Sequence, residues 1–425
     1  MKKYLLPLLL VILTSAPGLF AQDSLKAKID ELKSALEGLN ESYLETKTTV
    51  DALKKIKLSG YVQSQFQSIE KDGAASVAGG SFSAGMHNRF MVRRGRLKVT
   101  YDNDLTQYVV QIDATEKGLG LKDAYVSFKE PWLKTFGLTA GVFDRPFGFE
   151  IMYSSSSRET PERSRLFQSL FPGERDLGLK LEINPQGDLS FLNFKGGYFA
   201  GNGINPETDN NKDFIGRLGF QLPIYDINLA LDGGVSGYFG NVTLGSGKTL
   251  YTVDSPSLAK SDLSNSTVER TYIGADLQLY YDFPFLGGFS LRGEFISGKQ
   301  PGTNTSPNSY TAAPSGDVYL RNFFGYYINY VQNLGDQFQF VLKYDVYDPN
   351  TDVSGDEIGS VSAAKLSAGD IKYSTLGLGL IYHWDSNVKM TFYYDMVTNE
   401  TSTKLAGFNE DIKDNVFTFR IQYKF

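Results

Sequence analysis

The sequence predicts an all-β fold: a transmembrane antiparallel β-barrel of sixteen strands, preceded by an N-terminal α-helical coiled-coil segment. Three observations carry this. From residue 57 onward apolar and polar residues alternate with a period of two, the strand period. Phe417, Phe419, Ile421, Tyr423 and Phe425 alternate with Thr418, Arg420, Gln422 and Lys424. Across ten such segments the apolar face holds no charged residue, although 21% of the chain is charged. Second, the connections between segments alternate strictly between short and long. Third, no apolar run beyond the first 21 residues approaches the ~18 residues a membrane helix needs. A membrane crossing by this chain must therefore use strands.

The elements follow in chain order. Met1-Lys2-Lys3, the apolar Tyr4–Leu13 and Ala21 read as a secretory signal peptide over residues 1–21. Its removal takes the net charge from −6 to −8. Residues 22–56 read as a periplasmic coiled-coil segment. Leu25, Ile29, Leu32, Leu36, Leu39, Tyr43, Thr46, Val50 and Leu53 are spaced by alternating steps of four and three, the heptad period. A helix over them is about 44 Å long. So narrow a stripe cannot be buried by one helix, so self-association is expected. The stripe is mixed in composition, and does not choose between dimer and trimer.

Residues 57–425 read as the barrel. Short turns are expected near 102–106, 129–135, 184–189, 222–226, 283–288, 332–336 and 384–387. Long loops are expected near 69–87, 115–120, 144–175, 201–212, 240–268, 299–316, 348–370 and 399–413. Seven turns and eight loops join sixteen strands, with both ends on the turn side. Outer-membrane barrels place short turns in the periplasm and long loops outside. Sixteen strands enclose an aqueous channel.

Composition narrows the chemistry. The chain has 425 residues, no Cys and two histidines, His87 and His383. A thiolate nucleophile, Cys-ligated metal and a disulfide scaffold are excluded. A pI near 5.2 argues against nucleic acid. No cofactor is implied. Gly245-Ser246-Gly247-Lys248-Thr249 is not a phosphate loop, because Val242 stands where the first glycine belongs. Gly118-Leu119-Gly120 is a turn. The acidic loop 348–370 has Asp348, Asp352, Asp356, Glu357 and Asp370 against Lys365, without an EF-hand pattern.

The loop that should narrow the pore is 144–175. It carries Arg145, Arg158, Arg163, Arg165 and Arg175 against Asp144, Glu150, Glu159, Glu162 and Glu174, so its net charge is zero. In the second strand, Arg94, Arg96 and Lys98 share one face, by parity the lumen. Rows of Arg and Lys favour anions, and guanidinium grips phosphate or carboxylate oxygens bidentately. The alternative is a structural network in which Arg94 and Arg96 pair with loop acids. Arg93 is expected to point outward, near the headgroups or against another protomer.

The runs RRGRLKV (93–99), PFGFE (146–150) and ERSRLFQSLFPGERDLGLKLE (162–182) resemble the phosphate-selective porin O/P family of outer-membrane porins. The likeness extends from about residue 57 to Phe425. It implies a trimeric sixteen-stranded barrel among outer-membrane lipids, with the loop after strand five in the lumen. It also implies delivery by the barrel-assembly machinery through the last strand, ending in Phe425. The implied function is passive diffusion of small hydrophilic solutes, notably anions such as phosphate. A general diffusion pore, an outer-membrane barrel enzyme and a tether to the cell wall are the alternatives.

Overall fold

The structure is a computed structural model. It describes residues 5–207, 209–244, 248–253, 259–262, 267–283, 286–308, 316–360 and 366–425. Side chains are described from Ser24 onward, apart from residues 253 and 259–262. Met1-Lys2-Lys3, Gly245–Gly247 and Lys365 lie outside the described residues. The chain divides into two units, meeting at Lys57 and Leu58.

The first unit is one helix, α1, Leu5–Lys54. It runs without a break past Ala21 and through Gly38. Leu25, Leu32, Leu36 and Leu39 are all more than 60% exposed, and Ile29, Tyr43, Val50 and Leu53 are exposed with them. The heptad stripe is thus an unburied apolar seam.

The second unit is the barrel. Its strands are β1 (Ile56–Ile69), β2 (Asn88–Asn103), β3 (Thr106–Thr115), β4 (Gly118–Lys129), β5 (Phe136–Asp144), β6 (Arg175–Ile183), β7 (Leu192–Phe199) and β8 (Asp213–Ile224). They continue as β9 (Leu229–Thr243), β10 (Thr267–Phe283), β11 (Gly287–Gly302), β12 (Val318–Leu334), β13 (Phe338–Asp348), β14 (Tyr373–His383), β15 (Val388–Asn399) and β16 (Val416–Lys424). Each pairs with its chain neighbour, and β1 pairs with both β2 and β16. The seam runs antiparallel from Tyr61↔Lys424 to Ile69↔Val416. Gly60 and Phe425 exchange backbone hydrogen bonds of 3.1 and 3.0 Å. No edge is left, which is the condition for strands to cross a bilayer. Sixteen barrel strands and the alternation of turns and loops agree with the sequence reading. Among the described residues the chain adds four short strands, Ala75–Ser76 paired with Gly80–Ser81 in the loop after β1 and two more in the loop after β9. Thr249–Val253 pairs antiparallel with Ala259–Asp262 and parallel with the start of β12.

The packing is inside out. Leu177, Leu179 and Leu181, or Leu376, Leu378 and Leu380, are exposed on the outer wall. Gln63, Gln65, Gln67, Thr418, Arg420 and Gln422 are buried on the inner one. Lipid gives apolar side chains a partner that water does not. Trp132, Tyr225 and Trp384 stand exposed near the turns, as an aromatic girdle does.

Candidate functional site

The connection between β5 and β6 enters the lumen. Its root is apolar. Phe147, Ile151, Leu166, Phe167 and Phe171 are at most 1% exposed. They pack on inward-facing Tyr238, Tyr272, Ile296, Phe323, Tyr327 and Tyr347 of β9–β13. Each buried ring or branched chain contributes about 1.5–3 kcal/mol. The short helix α2, Arg165–Leu170, presents Leu166, Phe167 and Leu170 to this cluster.

Polar contacts register the root. Gly148 N–H donates to Ser236 Oγ at 2.9 Å, and Phe149 and Glu150 N–H donate to Glu294 Oε2 at 3.2 and 3.1 Å. Gly148 has φ +59°, and the Glu294 carboxylate occupies the place of a Cβ there. Glu150 accepts Lys343 Nζ at 2.6 Å, and also the Ser164 N–H and hydroxyl.

The tip reaches the opposite wall. Ser155 Oγ meets Tyr61 OH at 2.6 Å, and its carbonyl accepts Gln63 Nε2 at 2.9 Å. Gln422 Nε2 donates to Ser156 O at 2.9 Å, Lys389 Nζ to Arg158 O at 2.9 Å, and Arg420 Nη1 to Pro161 O at 2.7 Å. Glu159 holds Arg292 bidentately at 2.9 and 3.0 Å. The loop therefore spans the lumen, fastened on β9–β13 at one end and on β1, β2, β15 and β16 at the other.

Glu162 is the node of the tip. Arg93 grips it with two bonds of 2.8 Å, Arg94 with one of 3.1 Å and Arg420 with one of 2.9 Å. Burial raises its carboxyl, but Arg93, Arg94 and Arg420 overcome this and hold it well below the usual range. Arg93 thus turns inward, against the sequence expectation. Arg89 reaches Gln67 and Gln65 reaches Met91, so these odd-numbered residues of β2 face the lumen. Arg94 and Arg96 face it too. The alternation slips by one between Arg93 and Arg94, as at a bulge, because burying a second guanidinium against Glu162 is favoured over exposing it to lipid.

The remaining predicted residues separate into pinned and less pinned cations. Arg96 pairs with Asp113 at 3.2 Å and touches Ser155 Oγ at 3.1 Å. Arg145 pairs with Asp176 at 3.0 Å. Arg163 donates to the carbonyls of Glu150, Ile151 and Tyr153 and pairs with Glu174. Arg175 pairs with Asp123, Asp144 and Glu174, and Lys122 reaches Glu174 at 2.7 Å. Arg158 is 4% exposed, and its hydrogen bonds go to the carbonyls of Thr160 and Pro161. Burial first, then Arg163 and Arg94, push its guanidinium down to about 9. Arg165 lies 3.6 Å over the Tyr373 ring. Lys98 lines the cavity below the loop. Of the network alternative, Arg94 pairs with the loop acid Glu162, whereas Arg96 pairs with Asp113 of β3; Arg145, Arg163 and Arg175 are likewise held by acids. Arg93, Arg94 and Arg420 gather on the one acid Glu162, while Arg158 and Lys389 bond to loop carbonyls.

Strand parity puts Arg420, Lys389, Arg292 and Lys343 on faces opposite the charge-free ones, but does not pair them with the loop. Sequence reading missed the aromatic dock, whose signal was the tyrosines interrupting otherwise polar inward positions. His383 meets Gln339 at 3.1 Å, and His87 lies 3.5 Å from Asp72. Asp370 pairs with Arg321, while Asp356 bonds Thr403 and Asp352 bonds Asn322. Among the described residues no three acids gather as a metal site.

A family model described as phosphate-selective porin O and P matches residues 56–221. No curated protein matches the sequence. Solved structures share the fold. An anion-selective porin from Comamonas acidovorans is 13% identical with a TM-score of 0.55, covering 87% of this chain and 99% of that one. Pseudomonas putida OprB is 10% identical with a TM-score of 0.59, covering 89% and 96%. The outer membrane channel DcaP of Acinetobacter baumannii is 12% identical with a TM-score of 0.53, covering 87% and 97%. With its closed sixteen-stranded barrel and inward constriction loop, the chain has the porin fold and is an outer-membrane channel for small solutes, and its residues 56–221 are similar to the phosphate-selective porin O and P family.

Proposed function

We propose that the channel favours small anions, phosphate among them, and works by passive diffusion as a homotrimer. The supporting observation is the cation excess at the loop tip, where Arg93, Arg94 and Arg420 share the one carboxylate of Glu162 and Arg158 and Lys389 bond to loop carbonyls. Guanidinium groups in a low-dielectric constriction lower the barrier for anions and raise it for cations. The name of the Comamonas acidovorans relative, an anion-selective porin, is consistent with this. The exposed seam of α1 supports self-association, and a relative from Vibrio cholerae, OmpT, is described in a trimer form. We read residues 22–56 as a periplasmic coiled coil and Phe425 as the terminal signal for barrel assembly.

The test is the zero-current potential of the purified protein in a planar bilayer under a KCl gradient, repeated with added phosphate. An anion-signed potential and phosphate block of chloride current are expected. A cation-signed potential without block overturns the anion reading and leaves a general pore. Deleting residues 24–55 should convert trimer to monomer with an intact barrel; a retained trimer assigns association to the barrel wall.

A further inference from the structure

We propose that the cavity beneath the loop is a binding subsite for a polyhydroxylated organic anion, the size of a sugar phosphate or sugar acid. The inference rests on the anion-favouring reading and names a narrower solute class for it. The cavity holds 480 Å³ between the inner wall of β2–β6 and the underside of the loop at Ile151–Ser155. Sites for organic ligands run about 300–1,000 Å³. An inorganic oxyanion would leave most of this space to water.

The wall is ordered by register. Asp102, Gln107, Ser127, Thr139 and Lys180 are successive partners across β2 to β6. Lys98, Gln111 and Asp123 form a second row on the same face. Neighbouring strands stand about 4.8 Å apart. The middle of the wall is therefore a patch of amides and hydroxyls at close spacing, not a ladder of cations. The side-chain amides of Gln107 and Gln111 make no hydrogen bond among the described residues, although both line the cavity. Ser127 Oγ and Thr139 Oγ1 bond each other at 2.9 Å and keep acceptor capacity toward the cavity. Between the two rows sits Tyr125, opposite Gly141, giving a ring face beside bare backbone.

Charge is placed at the margins. Lys98 and Lys129 line the cavity and make no ion pair among the described residues. Lys180 is engaged by Glu182 at 2.5 Å. A sugar ring matches the centre: its hydroxyls donate to and accept from amides, and its C–H face covers an aromatic ring. Its single anionic group matches a marginal lysine. A plain ion uses the lysines and leaves both amides idle.

The test titrates glucose 6-phosphate, gluconate, glucose and inorganic phosphate against the chloride current of the full chain in planar bilayers. The two organic anions should block at least about threefold more tightly than inorganic phosphate or glucose. Whichever of the two blocks more tightly identifies the anionic group. Replacing Gln107, Gln111 and Ser127 together by Ala should weaken that block about tenfold, since each lost hydrogen bond costs a few-fold. Phosphate block should change less than twofold. Organic anions that block no better than phosphate overturn the subsite, as does a triple variant with wild-type block. The wild-type titration stands if the variant fails to assemble. The KCl potential is read in the same membranes. An anion sign without organic-anion preference refutes the subsite alone, whereas a cation sign refutes the anion reading beneath it.

Discussion

Replacing Glu162 by Gln removes the charge on which Arg93, Arg94 and Arg420 converge. The carboxylate is 11% exposed and accepts four N–H bonds. Hydrogen bonds to charged groups contribute about 1.5–3 kcal/mol each, and breaking a buried pair costs about 3–5 kcal/mol. Gln keeps one carbonyl acceptor, so the lower end, about 3 kcal/mol, applies to fastening the tip. That is about a hundredfold shift in the equilibrium between bound and detached tip. Single-channel conductance in planar bilayers should rise and become noisier. The zero-current potential should move further toward the anion sign, since three guanidiniums lose their counter-charge. Unchanged conductance and potential would refute the idea that Glu162 pins the constriction. Acid should not imitate the variant at mild pH. A carboxyl depressed by folding contributes stability that is complete above its unfolded pKa, near about 4.3, and lost only as pH falls through the folded value. The arginines place that value well below the ordinary range. Wild-type conductance should therefore hold from pH 7 to pH 4.5.

Three further outcomes are expected. Arg163→Ala removes donors to three loop carbonyls and the partner of Glu174, so barrel unfolding followed by heat-modified gel mobility should shift to lower temperature by the equivalent of about 2–4 kcal/mol; an unshifted transition contradicts the staple. Gly148→Ala places a methyl at φ +59° against the Glu294 carboxylate, which should release the loop root and raise the protease sensitivity of residues 145–174, and unchanged cleavage would count against that anchor. Asp414 is 2% exposed, and burial pushes its carboxyl up to about 6. A carboxyl raised by folding destabilises above that value and ceases to do so as pH falls below its unfolded pKa. Asp414→Asn should thus stabilise the barrel at pH 8 by about 2–3 kcal/mol and have no effect at pH 3; equal effects at both pH values would exclude titration as the cause.

Much of this architecture was already determined by the order of residues. A strand repeats its facing every two residues, so charge-free faces such as Phe417 to Phe425 declare which side meets lipid without any knowledge of partners. Turn and loop lengths then count the strands, because antiparallel neighbours need only a connection. The heptads of residues 25–53 are equally local. Their partner is not, and the exposed seam of α1 shows only that one is wanted. Tertiary structure alone decided what lies in the lumen. Loop acids and arginines sum to zero in the sequence, yet Glu162 gathers Arg93, Arg94 and Arg420 while Arg158 bonds to carbonyls. Pairing depends on which side chains closure of the barrel brings within about 3 Å, and β1 pairs with β16 although the whole barrel sequence lies between them. The inward turn of Arg93 has the same origin. Parity assigns a side chain to a face only while the ladder is regular. A one-residue slip, made favourable by a carboxylate 69 positions away in the chain, reverses it.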